Sequence, residues 1–398
     1  MKKNLSLYIH IPFCLRKCKY CDFLSFSGCS YASQLQYIDA LQQEIKLYKA
    51  YSDRYVVRSI FFGGGTPSLL DEVFIGNILS AIRSVFEVHR FPEITLEANP
   101  GTVKYTNLLA YQTYGINRLS IGLQSANDDL LKLLGRIHNM DQFIATYYSA
   151  RRAGFKNINI DLMSGIPAQT EHIYVDTLMK VVSLAPEHIS AYSLQVEEGT
   201  PLAEDEKLLG MIPDEEVDRR MYAMTKKVLA ANGYERYEFS NYSKPGYECR
   251  HNITYWTGGE YIGFGIGAAS FFKGQRFSNI KDLDKYIEIL QNAQSDIAAA
   301  KDIYNTYDEV TGSLRESVET LYIDSRIEEF MFLGLRMTKG ISRKEFRDRF
   351  NKDVYEVYGP VLNKYVNEGF MTVDEDTVKL NDRGIDVSNI ILSDFILD

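Results

Sequence analysis

The chain has 398 residues, 45% of them hydrophobic and 24% charged, with a formal net charge of −9. This is the balance of a globular protein large enough for two or three domains, and its acidity excludes the basic field on which non-specific nucleic-acid binding relies. Five cysteines, three of them clustered, form no disulfide framework and point to a reducing compartment.

In chain order, Met1-Lys-Lys and the apolar Leu5–Phe13 superficially resemble a signal peptide. The stretch is short, is interrupted by Tyr8, His10 and Pro12, and has no small-residue cleavage site before Cys14, so a cytoplasmic protein is expected. No run approaches the roughly 20 apolar residues of a transmembrane helix. The strand-like Leu5–Ile11 leads into Cys14, Cys18 and Cys21, spaced CxxxCxxC. Three soft thiolates from one loop suit an iron–sulfur cluster or zinc. Zinc would need a fourth ligand such as Cys29 and is more at home in paired CxxC modules. Three cysteines on a four-iron cluster leave one iron open. The triplet resembles the fingerprint of radical S-adenosylmethionine (SAM) proteins, in which SAM chelates that open iron and is split by one electron.

Strands and helices then alternate. Val56–Phe62 runs into Gly63-Gly64-Gly65-Thr66-Pro67, and Glu93–Glu97 into Ala98-Asn99-Pro100-Gly101. Arg118–Leu123 precedes Gln124, Asn157–Leu162 contains Asp161, and His188–Val196 precedes Glu197-Glu198-Gly199. Helical segments lie between them, for example Asp141–Ala153, stopped by Gly154. The order predicts an α/β fold with a parallel sheet. Successive strands deliver their glycines and polar groups at their C-terminal ends, where (β/α) barrels gather their chemistry. An open six-stranded (β/α) partial TIM-type barrel is therefore expected over residues 1–233.

Residues 234–320 break the period. They hold an aromatic, glycine-rich run with Cys249, His251 and Trp256, the only tryptophan. A helix is expected over Asp282–Gln294, then a polar linker or surface arm to residue 320. Residues 321–398 read as helices 326–337, 342–350 and 353–368 with a hairpin from Phe370, a small winged-helix-like domain.

The runs YIHIPFCLRKCKYCDF, GGGTP, EANPG, GLQS, IDLMSGIP and ECRHNITYW together resemble the HemN/HemW branch of the radical SAM proteins, and more narrowly its heme chaperones. The resemblance spans nearly the whole chain. It implies that Cys14, Cys18 and Cys21 ligate a 4Fe-4S cluster, that Tyr8 lies against cluster and SAM, and that Gly64, Gly65 and Thr66 cradle the methionine moiety. It implies that Glu97, Gln124, Arg136 and Asp161 contact SAM. Taken singly, such carboxylates usually cap helices, and Arg136 has Asp128, Asp129 and Glu97 as ordinary partners within reach of the sequence. Arg16, Lys17 and Lys19 would favour an anionic cluster, or form a docking patch for an acidic electron donor such as flavodoxin or ferredoxin.

Two functions compete on this scaffold. One is oxygen-independent oxidative decarboxylation of coproporphyrinogen III. The other is a heme carrier that hands heme to apo-hemoproteins of the respiratory chain, with peripheral contact at a membrane left open. The decarboxylases of the branch continue the motif as CxxxCxxCxC, where this chain has Phe23, and carry a longer segment ahead of the cysteines. His251-Asn252-Ile253-Thr254-Tyr255-Trp256 matches the HNxxYW motif that the resemblance links to heme, with His251 as axial ligand or Cys249 as an alternative thiolate. Ala269 stands where related sequences often carry histidine. The carrier is the expected function, and a radical SAM enzyme acting on another organic substrate remains a third reading.

Overall fold

The computed structural model describes residues 2–299 and 303–397. Six parallel strands form the centre: β1 (Lys3–Ile11), β2 (Tyr55–Gly64), β3 (Glu87–Ala98), β4 (Arg118–Gln124), β5 (Ile158–Ser164) and β6 (His188–Ser193), each hydrogen-bonded to the next. Helices α1 (Tyr31–Leu47), α2 (Glu72–Val85), α3 (Tyr105–Tyr114), α4 (Asp128–Leu133), α5 (Met140–Ala153) and α6 (Glu171–Ser183) fill the connections, and α7 (Glu215–Ala231) follows β6. Helix α5 shows why the boundaries fall where they do. Asn139 and Gln142 form a capping box at its start, and Gly154 closes it at φ +104, a conformation that costs an L side chain strain. This is the expected open, parallel barrel.

The alternation within these strands is unusual in its polarity. Leu5, Leu7, Ile9, Leu96, Leu119, Ile121, Ile160 and Leu162 turn outward into the main apolar core under the helices. Their neighbours Ser59, Glu93, Thr95, Arg118, Ser120, Asn159, His188 and Ser190 turn inward and are buried. The lumen is thus a polar interior that must satisfy itself. Ser120 donates to Asp161 Oδ2 (3.0 Å), the Asn159 amide donates to Ser120 Oγ and Asp161 Oδ1 (both 2.7 Å), and His188 Nδ1 meets Asn159 Oδ1 (2.6 Å).

The later chain extends both edges of this sheet and seals its lower end. Strand β7 (Asn241–Ser243) runs antiparallel to β6, and helix α8 (Arg250–Trp256) packs beneath β2. Strand β8 (Tyr261–Phe264) joins the far edge of β1 in parallel. From it β9 (Ala269–Phe272), β10 (Gln275–Asn279) and β11 (Arg315–Thr320) follow in antiparallel order. The stretch expected as a linker is therefore corrected: residues 294–299 and 303–314 are helical, and β11 is a ladder strand pairing with β10 from Gln275 to Asn279. Helix α9 (Leu283–Asn292) returns onto α1. Helices α10 (Ile323–Gly334), α11 (Arg343–Phe350) and α12 (Val354–Asn367), with the hairpin β12 (Met371–Val373) and β13 (Thr377–Leu380), close around a second apolar cluster that also takes in Phe239.

Glu44 of α1 fastens the added strands to the barrel. Fully buried, it accepts the Gly265 N–H (2.8 Å), the Tyr286 hydroxyl (2.6 Å) and the Asn279 amide (2.7 Å). Burial outweighs these donors and pushes its carboxyl up from 4.5 to about 7. Between these values the unfolded chain has released a proton that the folded chain retains. The Glu44 contribution is therefore complete below about pH 4.5 and is lost as pH rises through about 7. A shift of this size is worth about 3 kcal/mol. Glu44→Gln should remove that part of the fall in unfolding free energy between pH 5 and pH 8, as read by urea denaturation; an unchanged pH slope would contradict it.

Candidate metal centre and rim pocket

The cysteine loop leaves β1 through Phe13-Cys14, which pairs with Phe26-Ser27. It is held from both flanks: the Lys19 N–H donates to Leu134 O, and the Leu202 N–H donates to Lys19 O (both 2.9 Å). Cys14, Cys18 and Cys21 are half-buried and line one pocket of about 420 Å³ at the C-terminal ends of the parallel strands. Gly64, Gly65, Thr66, Glu97, Gln124, Arg136 and Asp161 line the same pocket. Ten of the residues singled out in the sequence are thus brought together.

A hydrogen-bonded chain joins two of the thiols across this rim. Cys14 Sγ lies 3.5 Å from Thr66 Oγ1, which accepts from the Asn99 amide (2.9 Å). Asn99 Oδ1 accepts from Arg136 Nη2 (2.8 Å), and Arg136 Nη1 donates to Cys18 Sγ (3.6 Å). Arg136 also donates to Gly122 O (2.6 Å), and its Nε is buried without a partner. The ordinary partners available to it in the sequence are used otherwise: Asp128 accepts the Met140 N–H, and Asp129 pairs with Lys132. Burial works against the Arg136 charge, but Tyr20 and Cys18 outweigh it and hold the guanidinium ionised. Burial also pushes the Cys21 thiol up to about 11, so a metal must displace its proton.

The glycine run closes against β1. A Cβ on Gly64 (φ +106) would fall 2.5 Å from the His10 ring, and one on Gly65 would fall 2.8 Å from Ile11 O and Phe13 O. Only glycine brings the backbone so close. At the far wall Gln124 is held at φ 71, beside a register shift between β4 and β5. Such strain in a non-glycine residue collects at functional sites. Burial and then Asp161 push Glu97 up to about 8, and burial raises Asp161. Neither carboxylate caps a helix.

These features suit a cluster and a cationic ligand. Three thiols share a cavity with a cation at Cys18, a backbone cradle stands beside them, and two destabilised carboxylates face the same space. Among the described residues no three His, Cys, Asp or Glu side chains are gathered as a single metal ion needs, whereas a cluster spreads its thiolates over separate irons.

Two expected site residues lie elsewhere. Tyr8 sits one layer below the pocket, its hydroxyl against His10 Nδ1 (3.2 Å) and its ring against Phe61. His251, expected as a heme ligand in a glycine-rich loop, is in α8 and buried. Its Nδ1 meets Ser59 Oγ (3.0 Å) and its Nε2 meets the Tyr255 hydroxyl (2.8 Å). Both ring nitrogens are engaged and burial lowers its pKa to about 3, so the axial role expected of His251 would require one of these bonds to be given up. Cys249 is no more open: buried, with Sγ directed at Glu93 Oε1 (3.6 Å). Sequence reading missed Asn99 and Tyr192 as pocket residues. Asn99 lay in the EANPG run beside Glu97, and only its bond to Arg136 reveals its part.

The radical SAM superfamily profile matches residues 8–181, and that of the HemN C-terminal domain matches 324–387. The chain is 32% identical over 399 residues to the heme chaperone HemW of Lactococcus lactis subsp. lactis, covering 100% of this chain and 99% of that one. To the HemW of Bacillus subtilis it is 34% identical, covering 98% and 99%. To that of Escherichia coli it is 40% identical over 264 residues, covering 66% and 69%. Coproporphyrinogen III oxidase (HemN) from Escherichia coli, a radical SAM enzyme, superposes with a TM-score of 0.82 over 99% of this chain and 90% of its own, at 22% identity. That likeness shows a common fold.

The cradle can be tested without any ligand. Gly64→Ala combines a left-handed backbone with a clash against His10 and should lower the thermal midpoint by about 3 to 6 °C. Gly28→Ala, at φ +76 with nothing within 4 Å, should cost clearly less. Equal losses would show that the packing against β1 is unimportant.

Proposed function

The chain belongs to the heme chaperone HemW family of the radical SAM proteins, and from that premise we propose that it binds a 4Fe-4S cluster, SAM and heme and delivers heme to respiratory hemoproteins. The observation that carries this reading is the meeting of Cys14, Cys18 and Cys21 with Gly64-Gly65-Thr66, Glu97 and Asp161 around one pocket. Cys14, Cys18 and Cys21 would hold the cluster, leaving one iron for SAM. Reduced cluster and SAM together supply one-electron radical chemistry.

The protein's part is binding and charge. Arg136 sets a buried positive charge beside Cys18, where it would favour an anionic cluster. The backbone of Gly64, Gly65 and Thr66, which lines the pocket, would cradle the methionine moiety of SAM, and Gln124 borders the same cavity. Asp161, already held by Ser120 and Asn159, and Glu97 would accept hydrogen bonds from the ammonium and hydroxyl groups of SAM. Tyr8 supports the cradle from below. His251 serves heme handling indirectly, by fixing α8 to β2 through Ser59. Phe23, half of whose ring or more is exposed at the pocket where the decarboxylases carry a fourth cysteine, supports the carrier over the decarboxylase.

The testing experiment is anaerobic reconstitution with iron and sulfide. About four irons per chain are expected, lost when Cys14, Cys18 and Cys21 are replaced by serine. Ferric heme should still titrate that triple variant to about one per chain, and the reconstituted wild type with SAM, reductant and coproporphyrinogen III should yield no protoporphyrinogen. Turnover to the divinyl product would reinstate the decarboxylase.

SAM affinity should also depend on pH. Glu97 keeps its proton up to about pH 8, and a cationic ligand binds better once that proton is lost. Affinity measured by calorimetry should therefore rise from pH 6.5 to about 8, by at most about tenfold per pH unit, and then level. Glu97→Gln should flatten the rise. A wild-type affinity independent of pH would remove Glu97 from the ligand's surroundings.

A further inference from the structure

At the opposite end of the barrel from the cysteines, a hollow of about 900 Å³ opens between the start of β3 and α8. A wall made of His89 and Arg250 separates it from a second hollow of about 470 Å³ under the start of β1. The β2–β3 ladder explains how this face is built. Val57 pairs with Val88 and Ser59 with Glu93, so four residues, His89–Pro92, oppose Arg58 alone. An insertion of this kind turns side chains out of the ladder and re-aims them. Here it presents His89 to both hollows and leaves Phe91 66% exposed, with the Arg90 guanidinium 5.2 Å over its ring.

Among the described residues, four arginines of this face lack a carboxylate partner, although Glu87, Glu93, Glu248 and Glu260 also border the hollows. Arg58, Arg83, Arg90 and Arg250 line the two hollows, and among the described residues none makes an ion pair with a carboxylate. Three of them reach only neutral acceptors: Arg58 donates to Asn4 Oδ1, Arg83 to Tyr114 O and Arg250 to Phe91 O. The bordering carboxylates are engaged elsewhere: Glu87 by Lys2, Glu260 by Lys3, and Glu93 by the Arg250 and His251 N–H groups. Glu248 accepts the Gly246 N–H at the margin. His89 Nδ1 accepts the Phe91 N–H (3.2 Å), so in the neutral ring the N–H lies on Nε2. In a chain of net charge −9, four unpaired arginines and an imidazole N–H on one concave face select an anion. Phe91 and Tyr247, both exposed, add apolar ring surface.

We infer that this lower face is where the chain holds the tetrapyrrole, with its two propionates on Arg90, Arg250 and His89 and its macrocycle against Phe91 and Tyr247. The inference rests on the heme reading above and adds the location and the groups that recognise the ligand. Arginine suits a propionate because its planar fork meets both carboxylate oxygens at once. The hollow is of the size that receives ligands of this class. It also lies against α8, the helix of the HNxxYW run: Arg250 and Thr254 face the hollows while His251 points away from them into the barrel.

The test is a titration of the full chain, followed by absorbance, with hemin, metal-free protoporphyrin IX and the dimethyl ester of hemin. The Arg90→Ala/Arg250→Ala double variant should lose at least tenfold in affinity for hemin and for protoporphyrin IX. The ester should bind the wild type more weakly and be insensitive to the substitutions. Arg219→Ala, an exposed arginine on α7 paired with Glu215, serves as a control and should change nothing. Circular dichroism and the thermal midpoint of the double variant establish that it folds, and Phe91→Ala offers an independent loss through the ring. If the wild type binds hemin and neither variant weakens it, the location is wrong while the heme reading stands. If the wild type binds no hemin, both fall. If the double variant instead loses binding to phosphatidylglycerol vesicles with hemin affinity intact, the face is a lipid surface and the inference is overturned.

Discussion

A barrel whose interior is lined by Glu93, Arg118, Asn159, Asp161 and His188 has to solve a charge and hydrogen-bond problem before it can do anything else. Burial disfavours the Arg118 guanidinium, and Cys249, Glu93, Tyr237 and Asp161 around it reverse that and keep it charged. Removing one partner of such a buried set leaves a charge uncompensated, at a cost of about 3–5 kcal/mol. The solution binds the two ends of the barrel together. From Asp161 at the rim the contacts pass through Asn159 and His188 to the Tyr237 hydroxyl (2.8 Å), which accepts the Cys249 N–H. At the lower end Glu93 takes the N–H groups of Arg250 and His251, so α8 satisfies the lumen and the lumen satisfies the start of α8.

This constraint also explains what could be read from the sequence. Parallel strands force the residues that follow them to one rim, so CxxxCxxC, GGGTP, Glu97, Gln124 and Asp161 were recognisable as neighbours from strand order alone. The closing helices and hairpin were legible through ordinary caps and periodicity. Residues 294–320 were not, because β11 is exposed along nearly its whole length and shows no apolar alternation. Its place depends on β10, some forty residues earlier in the chain. Arg136 could be named but not understood, since Asn99 and Gly122 fix its direction from other strands. The helical, buried setting of His251 was not legible because a seven-residue helix carries little pattern, and its burial follows from Ser59 and Tyr255. The His89–Pro92 insertion is a register event between two strands, invisible without the ladder.

The two ends of the barrel present complementary chemistry. The rim gathers thiols, a glycine cradle and two carboxylates whose pKa burial raises, a set suited to a metal cluster and a cationic sulfonium ligand. The lower face gathers arginines without carboxylate partners and exposed rings. Between them runs a buried polar column rather than an apolar core, so a change at one end meets hydrogen-bonding groups, not a packed wall, on its way to the other. No helix among the described residues is long and apolar enough to cross a membrane.

The central claim is that three thiolates at the rim hold a cluster with one iron left for SAM. Mössbauer spectroscopy of the anaerobically reconstituted protein, recorded with and without SAM, tests it directly. The account predicts a four-iron cluster in which one iron differs from the other three and shifts its signal when SAM is added. A spectrum in which all irons remain alike and unmoved by SAM would contradict it.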